Sequence, residues 1–126
     1  MVAPTHYIFD GICSKNLDSI IVAEEFVREV VETLGLHIVV RSDGSEVIDS
    51  LLFKEDEELG PDQFGPGVSC LALISESNIA LHTRTWEGKV NLDIFSCRPF
   101  ESSNLFEIVH RYFNVTRTDR SLLLRR

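Results

Sequence analysis

No apolar run in this chain approaches the ~20 residues that a membrane-spanning helix needs. Its start, Met1-Val2-Ala3-Pro4-Thr5-His6, lacks the basic head and apolar core of a secretory signal. Cysteine is scarce: Cys13, Cys70 and Cys97 are an odd number, with neither CxxC nor zinc-ligand spacing. That argues against a disulfide scaffold and points to a reducing, cytoplasmic setting, in which a free thiol is by default a small buried hydrophobe. His6, His37 and His110 also lack metal-ligand spacing, so they read as structural or surface residues and no metal is expected. Basic residues are few, 12 Lys and Arg against 20 Asp and Glu, for a formal charge of −8. Phosphate binding needs clustered Lys and Arg, so the balance argues against a nucleic-acid partner, whereas a cationic small-molecule substrate is compatible.

What remains is the composition of an ordinary globular chain, 126 residues with 44% hydrophobic and 25% charged. That length suits a single domain, 1–126, with a core of its own. His6 to Ile12 reads as a first strand, with Tyr7 and Phe9 on one face. A helix follows from Asp18 or Ser19 as cap, with Ile20, Ala23, Phe26, Val27, Val30, Val31 and Leu34 at helical spacing and Gly35 as its stop. Leu36 to Val40 reads as a second strand, closed by the turn Ser42-Asp43-Gly44, and Val47 to Phe53 as a third. Residues 54–67 are acidic and rich in Gly and Pro and read as a long loop. Its carboxylates could attract a cation, but like charges of this kind mostly keep a loop solvated.

Three strands are then expected over 69–75, 78–83 and 89–97, with turns at Ser75-Glu76-Ser77 and Trp86-Glu87-Gly88. Leu105 to Phe113 has helical periodicity, capped by Ser102 or Ser103, and Val115 to Leu124 closes the chain as a strand before the basic tail Arg125-Arg126. Two helices on one face of a mostly antiparallel sheet make an α+β two-layer sandwich. The three central strands would bring a hydroxyl (Ser77), an imidazole (His82) and a thiol (Cys97) onto neighbouring strands, which is the company a covalent mechanism requires.

The Glu76-Ser77 bond carries the sharpest expectation. A serine hydroxyl can attack the carbonyl before it and convert the amide into an ester. Removal of the serine α-proton then eliminates the carboxylate, cuts the chain and leaves a dehydroalanine that water converts to a pyruvoyl group. Such a ketone forms a Schiff base with a substrate amine and acts as an electron sink. Glu-Ser alone is a common dipeptide, but its surroundings are specific. Ser69, then Glu76-Ser77-Asn78, His82-Thr83 and Asp93-Ile94-Phe95-Ser96-Cys97 closely resemble, without a gap, the core of the small prokaryotic S-adenosylmethionine decarboxylases.

The resemblance implies a self-processing, pyruvoyl-dependent carboxy-lyase of polyamine biosynthesis. Its β chain would be residues 1–76 and its α chain 77–126. By the same resemblance, Ser77 supplies the pyruvoyl cofactor, His82 is the processing base, Ser69 positions the processing intermediate and Cys97 protonates the substrate carbanion. The family resemblance also implies a homo-oligomer in which two processed αβ units complete each site. Both chemistries suit their groups, since imidazoles and thiols exchange protons not far from neutrality.

The resemblance breaks at substrate recognition. Where the family has an aromatic residue, Pro and Glu after His-Thr, this chain has Arg84-Thr85-Trp86, with Glu87 one place late. The family's adenine-stacking Phe falls on Gln63, with Phe64 one place off. A one-residue slip turns a strand side chain to the opposite face, although a loop can absorb it. Phe64, Trp86 and Glu87 are therefore the candidate substrate-binding residues, and two substrates stay open: S-adenosylmethionine, or a basic amino acid such as arginine or ornithine. A non-catalytic relative that regulates a partner decarboxylase is a third reading, against which the intact serine, histidine and cysteine weigh.

Overall fold

The computed structural model describes residues 4–53 and 65–125. Phe64 and all but the last residues of the acidic loop lie outside that set. The chain runs β1 (Thr5–Cys13), α1 (Ile20–Leu34), β2 (Ile48–Phe53), β3 (Gly67–Ile74), β4 (Ser77–Arg84), β5 (Lys89–Ser96), α2 (Leu105–Phe113) and β6 (Val115–Arg125). The strands form a sheet in the order β2-β3-β4-β5-β1-β6, and every neighbouring pair is antiparallel. The α+β sandwich expected from the sequence is thus the observed architecture.

Period-two alternation decides which side of the sheet each residue faces. Tyr7 and Phe9 of β1, Ile79 and Leu81 of β4, and Val90, Leu92 and Ile94 of β5 are buried on one side. Phe26, Val27 and Val30 of α1 and Leu105, Val109 and Phe113 of α2 join them in a single core. Emptying one of its aromatic positions, such as Phe26→Ala, is worth about 3–5 kcal/mol. The side chain of Ser19 caps α1 by accepting from the Val22 N–H, and Gly35 closes it in the left-handed region at φ 68°.

Two local expectations are corrected. Residues 36–40 do not form a strand; they make only isolated bridges, Ile38 with Ile74 and Val40 with Glu46. The reason is competition for one sheet edge, because β2 already pairs with β3 from Gly67 to Ala72. The segment is left with the far end of β3, where the Val39 N–H donates to Leu73 and the Ser75 N–H to the His37 carbonyl, at 2.9 and 2.8 Å. The second helix is capped at Asn104, with no side-chain bond, and not at Ser102 or Ser103. There the Ser102 carbonyl accepts from the Leu105 N–H, so a backbone turn replaces the expected hydroxyl cap.

Among the described residues, the other side of the sheet carries no helix. Leu51, Leu71, Leu73, Phe95, Leu122 and Leu124 stand on it and are all exposed. Beside these apolar positions runs a polar rung in strand register, Ser69-His82-Asn91-Asp10-Arg120. Within it Asp10 accepts from the Asn91 amide at 2.6 Å and from the Arg120 Nε–H at 2.7 Å.

Candidate active site

Strand β4 carries candidate groups at both of its ends. At its start, only Ser75 and Glu76 separate it from β3, and Ile74 pairs with Ser77 across the link. Two-residue hairpin links favour residues with positive φ, yet among the described non-glycine residues only Asn16 and Asn114 have one. This link is instead fixed by its neighbours. The Glu76 carbonyl accepts from the Cys97 N–H at 2.9 Å. The Glu76 carboxylate, only 5% exposed, accepts from the His37 N–H at 3.1 Å and meets His37 Nδ1 at 3.0 Å. It also accepts from an Arg98 guanidinium N–H at 3.4 Å. Burial pushes the Glu76 carboxyl up, but the hydrogen bonds from His37 outweigh it and leave the group below the usual carboxylate range.

Ser77 pairs with Ser96, which in turn pairs with Thr5, so three hydroxyls line up on adjacent strands on the helix-facing side. Ser96 is fully buried; its hydroxyl donates to the Arg98 carbonyl and accepts from the Arg98 N–H, turning the chain sharply past Cys97. Thr5 Oγ1 is the one buried side-chain polar atom without a hydrogen-bond partner among the described residues. Cys97 is exposed beside this link. Cys13 and Cys70 are buried, and burial pushes both thiols up, Cys13 to about 11. They fit the reading of inert core thiols.

Farther along β4, His82 stands directly opposite Ser69 of β3, with its Nδ1 2.8 Å from the Ser69 hydroxyl. Both face the open side of the sheet. The neighbouring Thr83 is buried and anchors the strand, its hydroxyl accepting from the Val68 N–H and donating to the Leu17 carbonyl. Gly67 permits the close approach of β3 to β4, because a Cβ there would stand 1.9 Å from the Thr83 carbonyl oxygen. Past β4, the exposed Trp86 ring covers Gly65, and the Glu87 carboxylate is paired with Lys89 at 3.0 Å.

The expected cluster of hydroxyl, imidazole and thiol is therefore divided in two. Ser77 and Cys97 lie together, with Glu76 between them. Ser69 and His82 lie together, with Trp86 and Glu87 farther on, past the end of β4. Five residues of extended strand separate Ser77 from His82, roughly 16 Å at about 3.3 Å per residue. An odd offset also puts them on opposite faces. The Glu76 carboxylate holders were not legible as such: His37 reads in sequence as a surface residue, and Arg98 carries no signal beyond its place next to Cys97.

A helix-backed antiparallel sheet whose reactive side chains hang from its central strands defines a class, the two-layer α+β sandwich with a strand-borne site. The family description "S-adenosylmethionine decarboxylase" matches residues 5–126, nearly the whole chain. A relative from Archaeoglobus fulgidus, named an S-adenosylmethionine decarboxylase proenzyme, is 42% identical over 61% of this chain and 68% of its own length. One of the same name from Thermoanaerobacter sp. is 30% identical, covering 71% of this chain and 88% of itself. The crystal structure of the Aquifex aeolicus adenosylmethionine decarboxylase superposes with a TM-score of 0.69 at 16% identity, over 99% of this chain and 91% of that one, a likeness of fold. The chain belongs to the S-adenosylmethionine decarboxylase family.

Proposed function

We propose that this protein is a decarboxylase that makes its own pyruvoyl cofactor by cutting itself between Glu76 and Ser77. The observation that carries the reading is the Glu76 carbonyl, which receives the Cys97 N–H at 2.9 Å in a two-residue link next to the Ser77 hydroxyl. Attack by Ser77 Oγ on that carbonyl carbon develops negative charge on its oxygen, where a fixed N–H donor is most effective. The new C–O bond replaces the C–N bond, and the hydroxyl proton passes to the freed amine. A base then removes the Ser77 α-proton and the Glu76 carboxylate departs. Water converts the dehydroalanine to a pyruvoyl group and ammonia. The residues present fit such a group, since Ser77 heads β4 and the Cys97 thiol is exposed beside it. A pyruvoyl at residue 77 would supply the sink for the electron pair left when CO₂ departs, and Cys97 is the group proposed to return a proton.

His82 is the processing base in this reading, with Ser69 holding its Nδ1 at 2.8 Å. The roughly 16 Å along β4 bars it from the Ser77 of its own chain. A second copy would have to bring the His82 end of one chain to the Ser77 end of the other. The protein thus works as a homo-oligomer of processed αβ units, 1–76 and 77–126.

The substrate in the relatives' names, S-adenosylmethionine, is the first reading. A basic amino acid, arginine or ornithine, is the second, and one observation favours it. The Glu87 carboxylate, which would have to hold the ribose, is already paired with Lys89 at 3.0 Å. Both partners are exposed, so displacing the pair costs about 0.2–1 kcal/mol.

The processed protein should run as two fragments on a denaturing gel, with the smaller one blocked at a pyruvoyl terminus by mass. Full-length chain alone, inert to carbonyl reagents, would return it to the class of docking regulators. Offered S-adenosylmethionine, arginine and ornithine separately, it should release CO₂ from one; release from S-adenosylmethionine alone refutes the substrate switch.

A further inference from the structure

We propose that His37 and Arg98 are positioning residues for the cut at Glu76-Ser77, acting through the Glu76 carboxylate. This rests on the self-processing reading above and adds to it two groups outside the hairpin that is cut. His37 grips the link three ways: its carbonyl accepts from the Ser75 N–H at 2.8 Å, its own N–H donates to one Glu76 carboxylate oxygen at 3.1 Å, and its Nδ1 lies 3.0 Å from the other. Arg98 also reaches that second oxygen, at 3.4 Å. Arg98 directly follows Cys97, whose N–H holds the Glu76 carbonyl. The link is thus staked between residue 37 and residues 97–98.

Two consequences follow from this arrangement. The first is geometric. A five-membered ring must form when Ser77 Oγ reaches the Glu76 carbonyl carbon, and the link has no positive-φ residue of its own to set its shape. Holding the side chain on one flank and the carbonyl on the other fixes the plane of the bond to be attacked. The second is electrostatic. The attack creates an oxyanion within the same residue as a buried carboxylate, and two negative charges at that separation repel strongly where water is scarce. The Arg98 guanidinium and the His37 donors offset the carboxylate before the oxyanion forms, which lowers the cost of the attack.

The test is the first-order rate of cleavage in freshly synthesised chain. His37→Ala and Arg98→Ala are expected to slow it 10- to 100-fold each. His37→Asn, which keeps a donor near the Nδ1 position, and Arg98→Lys, which keeps a cation, are expected to recover most of the rate. Free guanidinium should rescue Arg98→Ala in a saturable way, a response that loss of packing would not show. The unfolding temperatures of the same variants, measured on a Ser77→Ala chain, should fall by no more than about 5 °C from the Ser77→Ala parent, as the loss of one stabilising contact implies. If wild type is cut and the alanine variants are cut as fast, the positioning role is wrong while self-processing stands. The positioning role is equally wrong if they slow only in proportion to lost stability, without rescue. An uncut wild type overturns self-processing and the positioning role together.

Discussion

The two ends of β4 differ in almost every physical respect, although five residues separate them. The Ser77 end is enclosed: a carboxylate 5% exposed, a fully buried Ser96 and a carbonyl tied to a neighbouring N–H. The His82 end stands open on the bare side of the sheet, supported only by Ser69 on its imidazole and by Thr83 beneath it. On the proposed self-processing, the bond to be cut is held in a fixed environment, while the base proposed to serve another chain is presented outward. One strand can thus carry both halves of a site without bringing them together.

The largest effect that tests this division comes from separating the halves between chains. Ser77→Ala should abolish the cut outright, and His82→Ala should slow it at least about 100-fold, the usual contribution of a general base. Produced together, the two variants should restore cutting in the His82→Ala chain, since its Ser77 can meet the intact His82 of the other chain. Gel analysis with one chain tagged reads this directly, and no restoration would place His82 in its own chain's site.

A smaller effect distinguishes the two tasks of the enclosed end. Cys97 offers its backbone N–H to the scissile carbonyl, and a substitution leaves that N–H in place, whereas the thiol is lost. Cys97→Ala should therefore lower decarboxylation by about 100-fold and processing much less. Equal losses in cleavage and CO₂ release would contradict the role given to the thiol.

The smallest effect concerns acid. The folded Glu76 carboxyl titrates below its ordinary range because His37 hydrogen-bonds its ionised form. Its contribution to stability is then present in full above the unfolded value of about 4.3, and it is lost as pH falls through the lower folded value. On the Ser77→Ala chain, Glu76→Gln should flatten the acid limb of the unfolding profile by about 1 kcal/mol, with no change in slope near neutrality. An unchanged acid limb would mean that the His37 contacts do not hold the ionised form.

Much of this architecture is legible in local pattern. The spacing of Phe26, Val27, Val30 and Val31 gives α1, and the alternation in 89–96 gives β5, because burial on one face needs only a period. The fixed intervals among Ser69, Ser77, His82 and Cys97 pointed to the family, since strand pairing turns equal intervals into equal geometry. Local pattern failed at 36–40, where an apolar run with strand propensity found β2 already on the edge it needed.

By itself, then, the sequence determined the sandwich, the pairing partners of the central strands and the family, and it named the groups proposed to react. Only the tertiary structure decided which of those groups meet. Chain order places Ser77, His82 and Cys97 within one short stretch, but an extended strand carries a residue about 3.3 Å at each step and reverses its face. Nearness in sequence therefore became distance for Ser77 and His82. Conversely, the Glu76 carboxylate is held by His37 and Arg98, 39 and 22 residues away, because only the assembled sheet brings the end of α1 and the end of β5 to the same turn.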